Sequence, residues 1–280
     1  MLPDTLAVIG LGAIGGAVAR GAHAAGVPRV VGLSSDLHDH VAALHSGAVE
    51  TVAPTVEEAV ADADFVLLAV PPRATVELME AVARCTSAGA VVTDVASVKA
   101  PIMARASEIG LGARFVGGHP LAGTHERGFG AMDPGRLRGA VIYLCRGDAA
   151  EEPMARVERF WQHVFQARVV HVDAVVHDRT LAWTSHLPQA LSSLLALVLE
   201  RHGAAPDDLG PGARDVTRLA AGQASLWTDI LMQNRADVLQ ALDASGQALA
   251  ELRDALVAQD AAALERWLER GAAFRRRLDP

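Results

Sequence analysis

The chain has 280 residues, 51% hydrophobic and 21% charged, with a formal net charge of −8. A mildly acidic balance excludes nucleic acid as the main partner, because phosphate binding needs a basic face. The longest mostly apolar run, residues 190–199, is about half of a ~20-residue membrane span, so no membrane partner is expected.

No basic, apolar and small-residue leader pattern opens the chain, and Cys85 and Cys145 stand apart without metal-ligand spacing. A cytoplasmic protein without a metal site is expected.

Leu6-Ala7-Val8-Ile9 reads as a buried strand running straight into Gly10-Leu11-Gly12-Ala13-Ile14-Gly15, with a helical pattern over residues 16–25. Strand, G-x-G-x-x-G, helix is the context that a dinucleotide-binding fingerprint requires. The first glycine permits the tight turn, the second lets backbone approach a pyrophosphate, and the third lets helix pack on strand. The helix N-terminus then offers free N–H groups to the phosphates.

Residues 29–33 read as the second strand. The position after it normally carries an acid that holds the ribose 2′-OH, but here it is Ser34, followed by Ser35. Two hydroxyls carry no charge that repels a 2′-phosphate. NADP+ is therefore expected to serve at least as well as NAD+, with Arg73 a candidate for the adenosine side, although Asp36 could also swing back and hold the 2′-OH.

A short helix over 57–63 precedes a continuous apolar run, 65–70, of the kind buried in a parallel sheet. Pro71-Pro72 closes that run, which places Val70 and Pro71 at the cofactor edge. A helix over 74–84 and a strand over 90–95 follow, and Ser97 and Lys99 emerge at the same sheet edge. Taken singly, Ser97 reads as a loop hydroxyl and Lys99 as a solvated lysine.

The run 114–116 leads into Gly117-Gly118-His119-Pro120-Leu121-Ala122-Gly123. Two glycines suggest a sharp turn and Pro120 a fixed exit. His119, the side chain suited to proton exchange near neutral pH, would then sit at a strand's C-terminal edge, where open α/β sheets bind ligands. Further strands over 140–144 and 169–172 flank a helix over 154–165. The alternation predicts an α/β fold built on a doubly wound, mostly parallel sheet.

From Ala174 the pattern becomes helical: 174–201 interrupted at Pro188, then 215–226, 227–242 and 245–253. Asp260 reads as the N-cap of a last charged helix running to Arg275. The expected domains are 1–173 and 174–280. The many Ala and Leu positions of the second predict a face buried against another copy, a homodimer.

Four segments carry a resemblance: Val92 through Lys99, Gly117 through Thr124, Ser185-His186-Leu187-Pro188, and Gly212 through Arg218. In this order, behind the glycine loop, they resemble the prephenate/arogenate dehydrogenase family. The resemblance implies a Rossmann-like N-terminal domain and a helical C-terminal dimerisation domain. The reaction it implies is NAD(P)-dependent oxidative decarboxylation of a cyclohexadienyl substrate, prephenate or arogenate, on the way to tyrosine.

Under that resemblance His119 is the general base and Ser97 holds the same substrate hydroxyl or orients His119. Arg214 offers a planar fork to a carboxylate, His186 binds a second polar group, and Thr124 and His125 line the substrate. The sequence departs from the family pattern at Ala213, often Phe, and at Gln189, often a second His. Other readings are a β-hydroxyacid or imine-type dehydrogenase and a non-catalytic nucleotide sensor. A β-hydroxyacid enzyme would usually place a lysine on the long interdomain helix, and residues 174–201 contain none. With the chain up to Pro280 assigned to two domains, any inhibition by tyrosine is expected to be competitive.

Overall fold

The computed structural model describes residues 2–123 and 128–278. Its contacts group the chain into two units, Met1–Asn234 and Arg235–Pro280. The first opens with β1 (Thr5–Ile9), α1 (Ala13–Ala24), β2 (Arg29–Leu33), α2 (Leu37–His45), β3 (Thr51–Val52), α3 (Val56–Val60) and β4 (Phe65–Leu68). It continues with α4 (Pro72–Cys85), β5 (Val91–Asp94), α5 (Ala100–Glu108), β6 (Phe115–Pro120), β7 (Val141–Cys145), α6 (Glu151–Phe165) and β8 (Arg168–His171). Four helices complete it: α7 (Ala174–Leu181), α8 (Leu187–Arg201), α9 (Pro211–Thr217) and α10 (Ala224–Gln233). The second unit is α11 (Arg235–Val257) packed on α12 (Ala261–Arg276), whose N-cap is Asp260, its carboxylate accepting from the Ala263 N–H.

The eight strands form one sheet in the order β3-β2-β1-β4-β5-β6-β7-β8. All pairs are parallel except β6 with β7. Successive side chains of a strand point to opposite faces, and a parallel sheet covered on both sides needs apolar residues at every position. Leu6 and Val8 of β1, with Phe65 and Leu67 of β4, join the core under α1 and α6, where Phe65 and Phe160 stack with ring centroids 4.9 Å apart. Ala7 and Ile9, with Val66 and Leu68, join the opposite core with Met79, Ile102 and Phe115. Chain order reverses between β1 and β4, so the crevice for a ligand opens outside the carboxyl ends of those strands.

Several expectations change. The Gly117-Gly118 pair does not turn. It continues β6 through Pro120, paired with Cys145 and Leu144 of β7. The glycines serve close approach: a Cβ on Gly118 would meet the Asp94 carbonyl oxygen at 2.5 Å, and one on Gly117 would meet Met103 Sδ at 2.7 Å. Helices α2 and α5 were not legible. In α2 the apolar residues Leu37, Val41 and Leu44 face solvent, while Ala43 and Asp39 are buried, so no inward apolar stripe marks it. The expected break at Pro188 takes the form of a π-turn over Ala182–His186, in which the Leu187 N–H reaches back five residues to the Ala182 carbonyl. Proline cannot make the ordinary backbone bond of a helix, and a π-turn absorbs that defect one residue earlier.

Candidate active site

The glycine loop has the geometry a pyrophosphate needs. Gly10 lies at φ +101°, and a Cβ there would meet the Ala69 carbonyl oxygen at 2.4 Å. A Cβ on Gly15 would lie 1.8 Å from the Gly10 carbonyl oxygen, whereas nothing lies within 4 Å of one on Gly12. Gly12 is the N-cap of α1, and neither a capping side chain nor an acid occupies the first turn. The N–H groups there stay available to an anion, so the loop fits a dinucleotide cofactor.

Leu11 is a core residue packed against Gly32, so only its backbone can face a cofactor. Ala13 and Ile14 are half-buried against the core below the loop. Val70 and Pro71 close the crevice after β4, Val70 half-buried and Pro71 exposed. Ser34 Oγ accepts the Asp36 N–H at 3.1 Å and lies 3.4 Å from Asp39 Oδ2, while Ser35 is exposed. Asp36 caps α2 by accepting the His38 N–H, and Asp39 Oδ1 accepts the Phe129 N–H at 2.7 Å. Arg73 is exposed and paired with Glu77, which raises its pKa.

The second part of the candidate site is built on β5, β6 and the helices after β8. Lys99, expected to be solvated, is 0% exposed. Its ammonium donates to Asp94 Oδ2 and to the Gly118 carbonyl, and Asp94 Oδ1 accepts the Gly118 N–H. The Asp94–Lys99 pair thus holds the end of β6, and His119 follows directly. Ser97 is half-buried on the same connection, and among the described residues no hydrogen bond joins it to His119.

His119 is 8% exposed, and its Nδ1 lies 2.9 Å from His177 Nε2. His177 Nδ1 lies 2.7 Å from Asp178 Oδ1. Burial, then His177, Lys99 and His186, lower the His119 pKa well below 6.5, so its imidazole is neutral at neutral pH. His186, placed inward by the π-turn, is 0% exposed, and burial lowers its pKa to about 4. Its Nδ1 lies 3.1 Å from Asn234 Nδ2, and its Nε2 is buried with no partner among the described residues.

The structure therefore brings His119 and His186 together beside Lys99. His177, Asp178 and Asn234 were missed, because nothing in their spacing ties α7 or the end of α10 to β6. Arg214 is used elsewhere: its guanidinium donates to the carbonyls of Leu209 and Pro206. Arg218, on the turn after α9, has an exposed guanidinium with no hydrogen bond or ion pair among the described residues. That turn rests on α8, since Gln189 Nε2 donates to the Leu219 carbonyl and the Ala220 N–H to Ser192 Oγ. Thr124 and His125 lie outside the described residues.

Family comparison decides which chemistry this site belongs to. Residues 18–171 match the model described as "Prephenate dehydrogenase, nucleotide-binding domain", and residues 173–270 match "Prephenate dehydrogenase, dimerization domain". The chain belongs to the prephenate dehydrogenase family.

Among members of this family, a cyclohexadienyl dehydrogenase of Zymomonas mobilis is 32% identical over 264 residues, 91% of this chain and 89% of that protein. The structure of prephenate dehydrogenase from Aquifex aeolicus in complex with hydroxyphenyl propionate and NAD+ superposes with a TM-score of 0.90 at 28% identity, covering 100% of this chain and 99% of that one. Synechocystis arogenate dehydrogenase gives a TM-score of 0.81 at 26% identity, covering 98% and 99%. Membership makes the chain an NAD(P)-dependent oxidoreductase. Among the described residues no cluster of His, Cys, Asp or Glu could hold a metal ion, and no helix is long and apolar enough to cross a membrane.

Proposed function

We propose that the chain oxidatively decarboxylates prephenate, arogenate or both, with His119 as general base. The observation that carries the role is a buried imidazole at the carboxyl end of β6, in contact with His177 and with its own pKa lowered by burial. In this reading His119 Nε2 takes the proton of the substrate's C4 hydroxyl as the C4–H bond breaks. The nicotinamide, when bound, supplies the hydride acceptor. The electron pair of the ring–carboxylate bond then enters the ring, CO2 departs, and the ring becomes aromatic.

Ser97, on the same strand-end connection, is assigned to the same substrate hydroxyl. His186 donates to a second polar group. Asn234 Nδ2 also donates to the Asp178 carbonyl, which identifies that atom as the amide nitrogen and makes His186 Nδ1 an acceptor. The neutral ring must then carry its proton on Nε2, and a buried N–H without a partner costs about 1–3 kcal/mol that a ligand acceptor removes. For the carboxylate, the unpartnered Arg218 is the better candidate of the two arginines in its motif, and Arg214 braces the turn before α9. The boundary near residue 173 expected from the sequence pattern and the division after Asn234 by contacts both leave His119 in the first part.

Asp36 and Asp39 flank Ser34, and no Lys or Arg occurs between residues 34 and 40. Two carboxylates beside the ribose position disfavour a 2′-phosphate, so NAD+ is the preferred cofactor, against the expectation from Ser34 and Ser35 alone. Homodimerisation is supported by the dimerization-domain match and by exposed Leu191, Leu194, Leu197 and Val198 on α8. Unpaired Cys85 and Cys145 fit a cytoplasmic setting.

The test is direct. The protein is incubated with prephenate or arogenate and either oxidised cofactor, and the absorbance of the reduced nicotinamide is followed. Turnover with neither substrate rejects the reading.

A further inference from the structure

We propose that His177 and Asp178 are positioning residues that fix the tautomer of His119, leaving its Nε2 lone pair free for the substrate. The proposal deepens the reading of His119 as general base and rests on it for the catalytic consequence. The tautomer itself follows from the hydrogen-bond chain.

The chain starts at Asp178. Its Oδ1 accepts the Lys99 N–H at 2.7 Å, and its Oδ2 accepts the Ala100 N–H at 2.8 Å. These donors belong to the first turn of α5, where free N–H groups and the helix dipole favour a carboxylate. The carboxylate is therefore clamped in one orientation, with Oδ1 also 2.7 Å from His177 Nδ1. A carboxylate only accepts hydrogen bonds, so His177 Nδ1 must carry a proton. With its one proton on Nδ1, the ring offers a lone pair at Nε2, which lies 2.9 Å from His119 Nδ1. That contact is a hydrogen bond only if His119 Nδ1 donates. The neutral His119 ring then carries no proton on Nε2. With a single proton on His177, the reversed chain is excluded, because it would set the His177 Nδ1 lone pair against Asp178 Oδ1 at 2.7 Å.

Ring packing removes the remaining freedom. His177 is buried, and the Tyr143 ring meets it edge-on at 5.5 Å between centroids, while His119 meets it edge-on at 5.1 Å. Tyr143 is also the cross-strand partner of His119 in the β6–β7 pair. Among the described residues, the charged or titratable groups beside this chain include Lys99, whose charge is taken by Asp94, His186 and Tyr143.

Asn234 ties the two halves of the site. Its amide nitrogen donates to the backbone carbonyl of Asp178 and to His186 Nδ1. The same network thus sets His119 as an acceptor at Nε2 and His186 as a donor at Nε2. Two neutral imidazoles of opposite polarity suit a substrate that gives up a hydroxyl proton at one point and offers an acceptor at another.

The experiment is long-range 1H–15N correlation of the histidine rings in the 15N-labelled full chain, with the His119→Asn spectrum assigning His119, alongside steady-state kinetics. Wild type is expected to show His119 protonated on Nδ1 and bare on Nε2. Asp178→Asn can present an N–H to His177 and reverse the chain, moving the His119 proton to Nε2 and lowering kcat by about 10²- to 10⁴-fold with KM little changed. His177→Leu removes the acceptor and is expected to lose kcat similarly. His177→Gln keeps an acceptor for His119 Nδ1–H and is expected to recover at least tenfold over His177→Leu. A wild-type His119 protonated on Nε2, or a His177→Leu variant with wild-type kcat, overturns the proposal. The spectra need no substrate, so a failure of the proposed reaction, seen as no turnover by wild type, is separate from a failure of the tautomer assignment.

Discussion

The ammonium of Lys99 is buried against the carboxylate of Asp94, and the same ammonium holds the carbonyl of Gly118 at 2.8 Å, one residue before His119. A charge pair between the last residue of β5 and the connection that follows it therefore sets where β6 ends and where its histidine stands. Removing one partner of a buried pair leaves the other uncompensated, which typically costs about 3–5 kcal/mol. Lys99→Met is expected to lower unfolding stability by about that amount, read from denaturant titration. A loss under about 1 kcal/mol would show that the pair does not anchor the strand end.

His119→Asn keeps a polar side chain of similar reach and removes the base. It is expected to lower kcat by roughly 10²–10⁴ with cofactor affinity intact. Because burial and the neighbouring His177, Lys99 and His186 push the His119 pKa well below 6.5, wild-type kcat/KM should be flat through neutral pH. The acid limb should fall below pH 6.5, with Asp178 the nearby carboxylate. A near-normal kcat in the variant removes His119 from the chemistry.

The arginines of the 212–218 segment separate by their partners. Arg218→Ala is expected to raise substrate KM at least tenfold with a smaller change in kcat, the pattern of lost uniform binding. Arg214→Ala removes two bonds to the Leu209 and Pro206 carbonyls and is expected to act mainly on stability. A larger KM effect at Arg214 than at Arg218 would restore Arg214 as the carboxylate partner.

Stability should rise with pH in the mildly acidic range. His186 has a folded pKa of about 4 against 6.5 unfolded, so the unfolded chain binds the extra proton first. The folded state then loses stability as pH falls from 6.5 toward 4, by an amount on the order of 3 kcal/mol, and the lowered pKa of His119 adds in the same direction. Unfolding free energies measured across that window for wild type and His186→Gln test this, since the variant should have a shallower slope.

Cofactor choice is tested at Asp39. Asp39→Asn retains an acceptor for the Phe129 N–H and removes one charge near Ser34. The ratio of kcat/KM for NAD+ over NADP+ should exceed one in wild type and fall in the variant. A wild type that prefers NADP+ would return the selection to Ser34 and Ser35.

Much of the molecule was legible in its residues. The β1–glycine loop–α1 unit, the alternation of strands and helices apart from α2, β3 and α5, and the helical second half follow from periodicity and from glycines placed where only glycine fits. The resemblance of four short segments named the family and pointed to His119 and His186. Tertiary structure alone decided what surrounds them. Lys99 looked solvated because its partner Asp94 is a strand residue of ambiguous facing, and burial follows only once β6 closes over both. Gly117 and Gly118 looked like a turn because the sequence does not show Asp94 and Met103 pressing on their α-carbons. His177, Asp178 and Asn234 lie far from His119 along the chain, and their hydrogen bonds exist only because α7 and α10 fold back onto β6. Long-range packing carries no period, so the network that sets the protonation of the site becomes visible only in three dimensions.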